Sequence, residues 1–164
     1  MPSVARTTFL LFAVLTVLAP LRAGDQSDAA WISGIFTGRS PLPESVTKSD
    51  APRRAQAVAT TRPGTFVLVG GGESMRPLYT DGTILVCRQL PYAELARGMT
   101  ALYRNKENRV VAHVLVAKAR DGWRVAGLNN RLHDMEPVVA GNLVGVVFAA
   151  FTPSPLLAAN ERRR

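Results

Sequence analysis

Short apolar, β-branched runs alternate with glycine-centred turns through the second part of this chain. They predict strands at 66–70, 83–88, 99–103, 110–119, 123–126 and 143–151. Thr80-Asp81-Gly82 and Asp121-Gly122 read as tight turns, and 104–108 as a polar one. Residues 92–95 read as one helical turn. Strands this short, with turns this frequent and little helix, predict a mainly β domain, an antiparallel and partly closed barrel over 65–152.

The beginning of the chain has another pattern. An apolar run at 9–21, broken only by Thr16 and Pro20, follows Arg6. It is short for a membrane span, which needs about 20 residues. Residues 1–23 therefore read as a secretory signal with a cut near Ala23-Gly24, or as a short signal anchor. Either reading places the remainder outside the cytoplasm, periplasmic or otherwise extracytoplasmic, with a membrane as neighbour. Residues 24–64 are rich in Asp, Ser, Thr, Ala and Arg and carry Pro41, Pro43, Pro52 and Pro63. They predict a polar linker or a disordered spacer. Within them, the apolar patch 31–36 fits a membrane surface or the domain itself. Residues 153–164 predict a basic, solvated tail ending in Arg162-Arg163-Arg164.

Composition narrows the function. With 164 residues, there is room for one domain beside the leader. The net charge of +8 raises nucleic acid and anionic membranes as partners. Arginine is scattered, however, and no basic run is interleaved with aromatics, so no nucleic acid is expected. The one cysteine, Cys87, has no disulfide partner and no metal-ligand spacing around it, and its apolar strand predicts burial. No metal and no cofactor are expected.

The chemistry centres on Gly70-Gly71-Gly72-Glu73-Ser74-Met75-Arg76-Pro77. It follows a predicted strand. Three glycines allow a sharp turn and close approach of main-chain N–H groups to a ligand. Pro77 stiffens the loop by fixing its own φ and restricting Arg76. A serine on such a turn suits a nucleophile whose own N–H faces a developing oxyanion. A solvated surface turn is the competing reading. Ser74-Met75-Arg76-Pro77 after its Gly/Glu lead resembles the nucleophile box of type I signal peptidases and, more distantly, that of LexA-like self-cleaving proteases. The resemblance runs from about residue 66 to residue 148, roughly half the chain.

A serine needs a base within hydrogen-bond reach. His113, His133, Lys106 and Lys118 are the candidates. His113 lies in an apolar strand, where a buried structural histidine is the competing reading. Lys106 sits in a polar turn, and Lys118 lies an odd number of positions beyond His113, on the opposite face of a regular strand. The resemblance favours His113: the family places its base in the corresponding strand, as lysine in most bacterial members and histidine in the endoplasmic-reticulum type. A stretch from Gly127 through Asn129-Asn130 to His133-Asp134 resembles the last box of the Ser/His members. There, Asp134 matches the acid that orients the base. Asn129 and Asn130 alone read as local turn formers.

The resemblance thus implies a serine endopeptidase that cuts extended peptides or preproteins after small residues. Ser74, His113 and Asp134 would be catalytic, and Met75, Pro77 and Gly72 would contact substrate. Three positions depart from the family pattern. Leu128 and Met99 stand where carboxylates are usual, and Val114 stands where arginine is usual. A self-cleaving protein of the LexA-like kind and an inactive peptide-binding module on the same fold are the alternatives.

Overall fold

The computed structural model describes residues 30–154 and Leu157. The leader expected at 1–23 and most of the tail expected at 153–164 lie outside them. In chain order the elements are β1 (Trp31–Ile32), β2 (Ile35–Phe36), β3 (Glu44–Val46), α1 (Asp50–Ala59), β4 (Thr65–Val69) and β5 (Ile84–Arg88). A 3-10 turn at Tyr92–Glu94 follows, then β6 (Thr100–Arg104), β7 (Val110–Ala119), β8 (Gly122–Ala126) and β9 (Leu143–Pro153). The six strands expected from alternation are all present, with ends shifted by a residue or two.

The chain is mainly β, as its pattern predicts. β4, β5, β9, β6, β7 and β8 form one sheet in that order, each pair antiparallel. No closed barrel forms among the described residues, because β4 and β8 end the sheet without pairing to each other. The sheet nonetheless curls. Leu68 of β4 and Ala112 of β7 line one cleft although three strands separate them in the sheet. β9 is the spine: β5 pairs with its later part and β6 with its earlier part, with a register shift against each. Such bulges sharpen the local twist and let one long strand serve two neighbours.

Of the linker expected over 24–64, the described residues 30–64 carry regular elements instead. β1 and β2 form a hairpin through Ser33-Gly34, both at positive φ, the geometry of a two-residue hairpin loop. β3 pairs parallel with β9, Val46 opposite Pro153, and the Ser154 N–H donates to Val46 O at 2.8 Å. α1 buries Ala51, Ala55 and Ala59, a four-residue spacing that puts them on one face. That stripe packs with Val86, Val46 and Phe151 on one side of the sheet. Pro52 does not break the helix, because it stands in the first turn where N–H groups have no intrahelical acceptor.

The opposite face of β4, β5 and β9 carries Leu85, Cys87, Val147 and Ala150, which pack under Met75, Leu78 and Tyr79 of the β4–β5 loop. Cys87 is fully buried, as expected, and burial pushes its thiol up to about 12. A third cluster, with Tyr103, Leu115, Trp123 and Val138, lies under β6, β7 and β8. No helix among the described residues is long and apolar enough to cross a membrane.

Since Ala55 has no exposed surface, Ala55→Leu should overpack the α1 face. The expected loss is about 1–3 kcal/mol, read as a lower urea midpoint with the slope unchanged. A solvated linker at this position would give no shift.

Candidate active site

The β4–β5 loop is built to hold Ser74 still. At its base the Gly70 N–H donates to Thr83 O at 2.7 Å and the Gly82 N–H to Gly70 O at 2.9 Å. Gly72 has φ +88°, a conformation that L side chains rarely adopt, so the glycine is required. The Arg76 N–H donates to Glu73 O at 3.2 Å and the Tyr79 N–H to Met75 O at 3.0 Å, which wind the loop into consecutive turns. Met75, Leu78 and Tyr79 point into the core and pin the loop to the sheet. The Tyr79 hydroxyl donates to Pro41 O at 2.8 Å, so the segment before β3 also anchors it.

Ser74 Oγ lies 3.1 Å from His113 Nε2. His113 stands on β7 opposite Ala101 of β6 and is 5% exposed. Its Nδ1 is hydrogen-bonded to Asp134 Oδ2. Asp134 comes from the β8–β9 connection, fixed by its own N–H donating to Val125 O at 3.0 Å. The three side chains that the sequence singled out therefore form one continuous chain. They come from two loops and a strand, and 39 residues separate the first pair.

The charge on Asp134 favours one direction for the bonds around it. Burial raises the Asp134 carboxyl, but hydrogen bonds from His113 and Tyr103 and the nearby imidazoles outweigh it, leaving the group below its ordinary value. A carboxylate only accepts, so His113 Nδ1 must donate. In a neutral imidazole, Nε2 then carries the lone pair, and it faces the Ser74 hydroxyl. The arrangement can take the serine proton and hold the resulting imidazolium against a negative charge. Among the described residues the Ser74 N–H donates to no protein group, so it is free to meet an oxyanion.

The other candidate bases stand elsewhere. Lys106 is exposed in its turn, with its N–H donating to Glu136 Oε2 at 2.8 Å. Lys118 is exposed, its ammonium 6.0 Å from the centre of the Tyr92 ring. His133 is also exposed, and it is His113 that meets Ser74. Of the expected substrate contacts, Gly72 and Met75 line a cavity of about 270 Å³ beside Ser74, together with Leu68, Tyr79 and Ala112. Pro77 is exposed and does not line it, so it shapes the loop instead. No group of three His, Cys, Asp or Glu side chains among the described residues is placed to hold a metal ion.

Two functional contacts escaped the sequence reading. Tyr103 of β6 donates its hydroxyl to Asp134 Oδ2 at 2.5 Å. Asn129, for which local turn bonds were the competing reading, clamps the serine loop: its N–H donates to Ser74 O at 2.8 Å and its amide nitrogen to Glu73 O at 3.2 Å. Gly127 permits this clamp, since a Cβ there would lie 2.8 Å from Ser74 O. Leu128, Val114 and Met99 are all packed against the core. Leu128 and Val114 are core residues beneath the serine loop, and Met99 packs against the cluster around Tyr103.

The chain matches no protein-family model and no curated protein.

The lowered Asp134 carboxyl carries a pH dependence. It stabilises the fold fully above its ordinary value of 3.8, and that contribution is lost as pH falls through its lower folded value. Urea melts between about pH 6 and about pH 2 should show an acid-side loss that is smaller in Asp134→Asn. Equal acid slopes in the two proteins would mean that the carboxylate gains nothing from its partners.

Proposed function

We propose that this chain is a serine endopeptidase of the signal-peptidase type, acting outside the cytoplasm on exported peptides or preproteins. The observation that carries the proposal is the contact of His113 Nε2 with Ser74 Oγ at 3.1 Å while Asp134 holds the other ring nitrogen. The open, curled sheet with its serine loop at one mouth is consistent with the signal-peptidase and LexA-like fold that the sequence resembles.

The substrate lies extended in the cleft between the end of β4 and the start of β7. β8 pairs with β7 only from Val114 onward, which leaves the β7 edge at 110–112 without a strand partner on that side among the described residues. An added peptide strand finds main-chain donors and acceptors there. Ser74 Oγ attacks the scissile carbonyl carbon as its proton passes to His113 Nε2. The Ser74 N–H stabilises the oxyanion. Collapse breaks the C–N bond, and His113 returns the proton to the departing amine. Water, deprotonated by His113, then hydrolyses the acyl-enzyme. Asp134 holds the imidazolium through both halves. The resemblance favours alanine and other small residues before the cut bond. The leader at 1–23 delivers the domain to the membrane surface, whether or not it is removed.

Purified protein should cleave an extended peptide with alanine before the bond. Ser74→Ala and His113→Ala should each lower kcat by more than about 1,000-fold. Undiminished cleavage in either variant overturns the assignment, and tight binding without cleavage by the unmodified protein assigns a peptide-binding module instead.

A further inference from the structure

Asp134 is less enclosed than the ring it holds. It sits on a loop, and its side chain keeps 20% of its surface exposed, against 6% for His113. A cavity of about 450 Å³ opens onto it, lined by Met135, Glu136 and Lys106 as well as by Tyr103 and His113. Water thus reaches the acid, and burial does not hold it in place. Tyr103 does. Its ring is 2% exposed, on a strand bonded to β7 and β9 at once, so the phenol has little freedom. Its hydroxyl donates at 2.5 Å to the same oxygen, Oδ2, that receives the imidazole. The rings of Tyr103 and His113 stand 6.4 Å apart at 58°.

We propose that Tyr103 is a positioning residue: its hydroxyl holds Asp134 Oδ2 beneath His113, keeps that oxygen unprotonated, and so fixes the ring with its proton on Nδ1 and its lone pair toward Ser74. Two donors on one oxygen make that oxygen a weaker base than it would be with one. A proton on Nδ1 therefore stays with the ring. Burial and the adjacent carboxylate raise the phenol itself well above its ordinary range, which keeps it a donor. A tyrosine present only to fill the core would need an acceptor for its hydroxyl but would leave the titration of Asp134 and the tautomer of His113 unchanged.

The inference rests on the peptidase reading for its catalytic meaning, but its physical content is tested without substrate. Carboxyl carbon NMR of Asp134 and ring nitrogen NMR of His113 are compared between the unmodified chain and Tyr103→Phe. In the variant the Asp134 midpoint should rise, and His113 should populate both tautomers. Should Tyr103→Phe fail to fold, 3-fluorotyrosine at position 103 keeps ring and hydroxyl while acidifying the phenol. It should move the Asp134 midpoint downward. In the peptidase assay Tyr103→Phe should lose roughly tenfold in kcat with KM unchanged. Unchanged Asp134 titration and unchanged His113 tautomer in the folded variant overturn the role of Tyr103. An unmodified protein that cleaves nothing, yet shows the two NMR shifts, overturns the peptidase reading alone.

Discussion

The structure turns on an imidazole held between a carboxylate and a hydroxyl. His113 is almost fully buried, and a buried polar ring must find partners for both nitrogens. Asp134 takes one and Ser74 the other. Each partner constrains the chain far from its own position. The acid must be brought back by the β8–β9 connection, and the serine must be presented by the β4–β5 loop. Were either loop to move, the ring would lose a hydrogen bond it cannot replace from solvent.

The fold meets this constraint with redundancy. The serine loop is pinned from below by three core side chains, from one side by Asn129, and from the segment before β3 by the Tyr79 hydroxyl. The acid is held by its own N–H and by Tyr103. The histidine rides on the strand between them, whose neighbour β6 also carries Tyr103. β9, bonded to both β5 and β6, couples the serine half of the sheet to the histidine half. Helix α1 backs that spine from the opposite face.

Most of the sheet was legible because its strands are apolar runs ended by glycine and polar turns. The segment at 31–59 was not. Its hairpin strands are two residues long, its parallel strand three, and its helix buries only alanines, which give no contrast against a background of Ala, Arg and Gln. Pro52, one of the prolines that suggested a linker, stands in a first-turn position that tolerates it. Ser74, His113 and Asp134 were found by loop chemistry and by resemblance, since neither spacing nor composition links residues so far apart. Tyr103 had no signal of its own: in sequence it is one more aromatic residue in a core strand. Asn129 carried a signal that fitted two partners, because a pair of asparagines suits a local turn as well as a clamp across the molecule.

The central claim is that His113 activates Ser74. Mass spectrometry of the intact chain after exposure to a serine-directed fluorophosphonate tests it most directly. Unmodified protein is expected to gain one adduct, on Ser74, and His113→Ala to gain it far more slowly. Equal rates in the two proteins would contradict the claim, since the serine would then react without help from the ring beside it.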